Sequence, residues 1–125
     1  MKAVRIHGRS DPEKRYAKLV KEFFKNPNVE QPIGKRGFGS SGLYTDQKLF
    51  CFLSHKNRLI LKLPRKRVNE LVSSGDGMHW DPQSNGRGLK EWFELKPSSK
   101  LKWLPLAKEG MRFVGLSSKG ERDSR

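Results

Sequence analysis

The residues that could carry chemistry in this chain are few, and their spacing limits what that chemistry is. The histidines are His7, His55 and His79, and the single cysteine is Cys51. None has a second His, Cys or carboxylate at ligand spacing, so no metal site is expected. Cys51 stands in the apolar run LFCFL. A thiol there behaves as a small hydrophobe with a raised pKa, not as a nucleophile. Glu91 and Glu94 fall on opposite faces of an expected strand, so they do not form an acid–base pair. The reading is therefore non-catalytic, with no cofactor.

Glycines 37, 39 and 42 spell G-x-G-x-x-G. A dinucleotide site needs that string between a strand and a helix, so that the helix N-terminus meets the phosphates. Here strands are expected after it, and Gly37, Phe38, Gly39 and Gly42 read as a structural turn or bulge entry. Cations are the other candidates. Lys35 and Arg36 precede this loop, and Arg65, Lys66 and Arg67 open a helix, where three positive charges oppose the helix dipole. These five are the candidate nucleic-acid contacts, through phosphates. His79, Trp80, Arg87 and Trp92 are placed around a polar loop, 81–88, whose composition suggests mobility.

The charge supports an anionic partner. Lys plus Arg number 27 against 13 Asp plus Glu, a formal net charge of +14 over 125 residues. The excess is +6 in residues 1–38, +5 in 39–75 and +3 in 76–125, so it is spread along the whole chain. Such a balance favours contact with polyanions. A lone cysteine makes no internal disulfide and fits a reducing, cytoplasmic setting. No apolar run reaches the roughly 20 residues of a membrane span, and the basic start lacks the apolar core of a secretory signal.

The elements that must position these residues are legible from periodicity. A basic arm, 1–10, precedes a helix opened by Ser10 to Glu13 as a capping box. Tyr16, Leu19, Val20, Phe23 and Phe24 form its apolar stripe, and Lys14, Lys18, Lys21 and Lys25 its solvated side. Strands are expected at 43–45, 48–53 and 58–63, with turns at Asp46-Gln47 and 54–57. In the middle strand Leu49, Cys51 and Leu53 should share one face, and Phe50 and Phe52 the other. Both faces then need a cover. The kinked last helix, the N-terminal segment or a second copy of the chain, making a homodimer, would supply it.

Pro64 should begin a second helix at its first position, with Val68, Leu71 and Val72 inward and Gly75 ending it. Two strands follow, 78–80 and 89–96, with Leu89, Phe93 and Leu95 on one face and Trp92 on the other. A last helix is expected from 98 or 99 to about 114. Leu101, Leu104, Ala107, Lys108, Met111 and Val114 trace its inward stripe, Pro105 should kink it and Gly110 weaken it. Residues 116–125 read as a disordered tail. The order α-β-β-β-α-β-β-α defines an α+β, two-layer domain with a central antiparallel sheet.

That order, together with the string RGFGSSGLYTDQKLFCFLSHKNRLILKL, resembles the TfoX N-terminal domain family. The shared features are Phe38-Gly39, Gly42-Leu43-Tyr44, Lys48 with Phe50, the closing strand from Leu59 to Leu63 with Lys62, a last strand near 88–97, and Trp103 with Ala107. Gln47 and Pro105 depart from its pattern. The likeness covers about residues 11–115 and extends, more distantly, to the MmcQ/YjbR family. It implies a domain linked to regulators of DNA-uptake competence and implies no known catalytic site; full-length members often carry a second, C-terminal domain, which this chain is expected to lack. The alternative is a protein-interaction or self-associating module that uses an apolar sheet face and binds no nucleic acid.

Overall fold

The computed structural model describes residues 11–31 and 42–123, with side chains to Gly115. The expected arm, Ser10, Lys35, Arg36, Gly37, Phe38 and Gly39 lie outside the described residues. The elements are α1 (Asp11–Phe23), β1 (Val29–Glu30), β2 (Leu43–Thr45), β3 (Lys48–Leu53), β4 (Leu59–Lys62), α2 (Arg65–Ser73), β5 (Gly77–His79), β6 (Trp92–Leu95) and α3 (Trp103–Asp123). The six strands form one antiparallel sheet in the order β1-β2-β3-β4-β6-β5. This is the expected α+β architecture, with β1 added at one edge. At two residues β1 is too short to show a period in the sequence.

One core lies between the sheet and the helices. Tyr16, Leu19 and Phe23 of α1, Val68 and Leu71 of α2, and Leu106, Ala107 and Val114 of α3 meet Leu43, Cys51, Leu59, Leu61, Phe93 and Leu95 there. Phe24 departs from the expected stripe and is 51% exposed. It follows the last residue of α1, so the helical period no longer places it.

The middle strand also departs from simple alternation. Leu43 pairs with Cys51, but Tyr44 pairs with Leu49, so Phe50 is an extra residue in β3. This β-bulge turns Phe50 and Cys51 toward the same side. Phe50 packs edge-on against Phe23, with ring centroids 5.5 Å apart. Phe52, expected to share a face with Phe50, lies on the opposite side. There it meets Trp80 at 5.1 Å and Trp92 at 6.1 Å. Its cross-strand partner Ile60 is, like Phe52, fully buried. This second face is thus closed over Phe52 and Ile60 within a single chain.

The turns follow their residue chemistry. Asp46 and Gln47 both have positive φ, 57° and 64°, which makes a type I′ hairpin turn. Aspartate tolerates that conformation, whereas glutamine pays for its Cβ. Gln47→Gly is expected to stabilise the protein by about 1 kcal/mol, read as a higher denaturation midpoint at unchanged slope. A lower midpoint would contradict this turn geometry.

Helix α2 begins at Arg65, one residue later than expected, with Pro64 as its N-cap residue and no side-chain cap. At its other end Gly75 sits at φ 84°. The Gly75 N–H donates to Val72 O and the Asp76 N–H to Leu71 O, completing a Schellman motif. The Asp76 carboxylate then accepts hydrogen bonds from the hydroxyls of Ser74 and Ser99. These bonds, Ser74 first, hold its pKa below the usual carboxylate value. The ionised form therefore favours the fold, an effect present above about pH 4 and lost as pH falls through the depressed folded value. Asp76→Asn should lower the melting temperature at pH 6 and flatten its decline toward pH 2. A parallel decline in both proteins would rule out this linkage.

In α3, Pro105 is the third helical residue, where its missing N–H has no intrahelical acceptor. Its place in the first turn removes the expected interior kink. Gly110 lies so close to the sheet that a Cβ would stand 3.0 Å from Lys62 O and 3.2 Å from Phe50 O. Leu106, Ala107, Gly110 and Val114 form the buried side, while Lys108, expected inward, is exposed. The helix continues to Asp123 through the stretch expected as a disordered tail, and no proline follows Pro105 to end it.

Candidate nucleic-acid interface

Strand β4 delivers Lys62 to the second face of the sheet, opposite Trp92 of β6. The pairing is extended by the Leu63 N–H, which donates to Glu91 O at 3.0 Å. The chain then turns into α2, which brings Arg65 beside them. The loop before β6 is held at its neck by two bonds: Trp80 N–H to Trp92 O, 2.9 Å, and Leu89 N–H to Trp80 O, 2.8 Å. Within it the Asp81 carboxylate accepts from the backbone N–H groups of Asn85 and Gly86. The loop expected to be mobile thus has an internal hydrogen-bonded frame.

These elements enclose an open depression of about 380 Å³, lined by Lys62, Arg65, Leu89, Lys90, Glu91 and Trp92. The Lys62 ammonium lies 5.2 Å from the centroid of the Trp92 ring and 3.5 Å from Glu91 Oε1. Trp80 meets Trp92 edge-on at 5.6 Å and 64°. Arg65 and Lys90 are exposed at the rim and make no ion pair among the described residues. Three cations thus surround one aromatic ring and one carboxylate.

The predicted contacts are distributed unevenly about this depression. Arg65 lines it, and Lys66 is exposed on the next position of α2. Arg67 turns the other way. Its guanidinium grips Glu109 of α3 at 2.9 and 3.3 Å and also reaches Glu70 at 3.3 Å. The bonds to Glu109 lead in raising its pKa further. Arg67 is a tie between two helices. Lys35, Arg36, Gly37, Phe38 and Gly39 lie outside the described residues, and Gly42 is buried just before β2. Of the group placed around the loop, Trp80 and Trp92 do come together. His79 sits opposite Phe93 in β5, on the core side, and Arg87 is exposed.

Sequence reasoning passed over Lys62, Leu89 and Lys90. The signal for Lys62 was its place on the polar side of an alternating strand. Its neighbour Trp92 was assigned to the non-core face by the same rule. What was missing was the β4–β6 pairing that joins them. Leu89 was expected in the strand, but β6 begins at Trp92 and leaves Leu89 42% exposed.

A second basic surface lies on α1 and the turn after it. Lys14, Lys18, Lys21 and Lys25 are all exposed, and Lys25 pairs with Glu22 at 3.2 Å. Arg15, to one side, stacks on the Trp103 ring at 4.4 Å. Elsewhere, burial pushes the Cys51 thiol pKa up, and Cys51 is fully buried. A protonated, inaccessible thiol is no nucleophile at neutral pH. Among the described residues, no group of three or more His, Cys, Asp or Glu side chains could hold a metal ion. Among them, too, no helix is long and apolar enough to cross a membrane.

Comparison of the chain with protein-family models, with curated proteins and with solved structures finds no match. The class defined by the structure itself is an α+β domain with a six-stranded antiparallel sheet.

Proposed function

We propose that this chain is a non-catalytic regulatory or accessory domain of the TfoX N-terminal type, which contacts nucleic acid through a basic surface. The observation that carries this reading is the depression on the sheet's second face. Lys62, Arg65 and Lys90 converge there, with Glu91 the lone carboxylate in the lining. In a chain of net charge +14, such a grouping lowers the cost of bringing a phosphate backbone close. Lys66 extends the cationic rim along α2, while Arg67 stays with Glu109. The anchoring is rigid on two sides, since Lys62 belongs to a central strand and Arg65 opens a helix directly after it.

The alternative, an apolar sheet face that docks a protein or a second copy, draws less support. Phe50 is turned into the core by the bulge, and Phe52 and Ile60 are already covered.

Titration of the protein with mixed-sequence DNA and RNA at low and physiological salt tests the proposal. Non-specific binding with a dissociation constant on the order of 10⁻⁴–10⁻⁶ M at physiological salt is expected. It should weaken steeply as salt rises. Absence of binding at low salt would end the nucleic-acid reading.

A further inference from the structure

We infer that the depression takes an unpaired nucleic-acid strand in preference to a duplex, with Trp92 as the stacking platform for a base. The inference rests on the nucleic-acid reading above and adds the type of strand. Its basis is the combination of a ring with cations, since cations alone would serve any polyanion.

Trp92 is half-buried, and its place is set by the protein. Phe52 and Trp80 pack around it at 6.1 and 5.6 Å, and the ladder to Lys62 fixes its backbone. A ring held in this way loses little freedom when a ligand stacks on it. Above the ring lies the ammonium of Lys62, at 5.2 Å, on a side chain that is 29% exposed. The same ammonium pairs with Glu91 Oε1 at 3.5 Å, so a stacking base would exchange that pair for one between Lys62 and a phosphate. Arg65 and Lys90 flank the ring at the rim, where a backbone would run.

A duplex hides the faces of its bases and offers the protein phosphates and groove edges. An unpaired strand offers both phosphates and free base faces, and stacking on an aromatic side chain adds to the electrostatic attraction for any base. A ring among cations therefore distinguishes the two.

The test compares oligo(dT) with a mixed-sequence duplex of equal phosphate number at one salt concentration, with intrinsic tryptophan fluorescence as a second readout. Trp103→Phe removes emission from α3, leaving Trp80 and Trp92. The unpaired strand should bind at least fivefold more tightly and quench the remaining emission. Trp92→Phe should keep most of that preference, and Trp92→Leu should lose it while still binding the duplex. If Trp92→Leu does not fold, quenching and strand preference in the Trp103→Phe protein still decide. Equal affinity for both forms without quenching overturns this inference and leaves the broader reading standing. No binding to either form overturns both. Binding to phosphatidylserine vesicles but to neither nucleic acid would assign the depression to a membrane surface and refute the proposal.

Discussion

Phe50→Ala is expected to destabilise the protein by about 3–5 kcal/mol, the range for deleting a large buried aromatic side chain. Total stabilities of domains are about 5–15 kcal/mol, so the variant should be close to unfolded at 37 °C. The ring is fully buried, it abuts Phe23, and α3 passes close above its backbone at Gly110. Leu49→Ala should cost far less, because Leu49 is only partly buried. A double-mutant cycle makes the test sharper. Phe23 and Phe50 should couple by about 0.5–1.5 kcal/mol, as edge-on aromatic pairs do, and Phe50 should show no coupling to Trp80. Coupling of Phe50 to Trp80 instead would mean that β3 carries no bulge.

Gly77→Val should cost about 2–3 kcal/mol, at the upper end for overpacking. A Cβ at Gly77 would collide with the backbone oxygen of Glu94 and stand 2.5 Å from Cζ of Phe93. Phe93 is fully buried and has nowhere to retreat. The easier escape is for β5 to leave the sheet edge. That would loosen the bond between Trp80 and Trp92 and shift tryptophan emission before global unfolding. A variant with the wild-type midpoint and spectrum would show that β5 does not pair with β6 in this register.

These two positions also show what the sequence makes legible. The order of helices and strands follows from periodicity, and the Asp46-Gln47 turn and Gly75 were readable from turn chemistry alone. The bulge at Phe50 was not. An inserted residue shifts the phase of a strand without changing its composition, so alternation assigned Phe50 to the wrong face. Gly77 and Gly110 owe their roles to the close approach of another backbone, which no local rule reports. Pro105 was read as a kink because the start of α3 was set four or five residues too early.

The candidate site was half legible for a related reason. Arg65, Lys66 and Arg67 stand out as a run, yet only tertiary structure tells Arg67, held by Glu109, from its exposed neighbours. Lys62 is distant in sequence from Lys90 and Trp92. Cross-strand pairing and the loop after Trp80 assemble them, and Trp92 had already been placed off the core by period-2 alternation.

The salt dependence of binding by a charge variant tests the central claim most directly. Arg65, Lys66 and Lys90 are replaced together by Gln, leaving the Arg67–Glu109 tie intact. A control protein carries Gln at Lys14, Lys18 and Lys21 on α1. If the depression contacts phosphates, the slope of log affinity against log salt should flatten by roughly two to three units in the first protein on duplex DNA. The control should keep the wild-type slope. An unchanged slope in the first protein with a flattened one in the control would place the contacts on α1 and contradict the account.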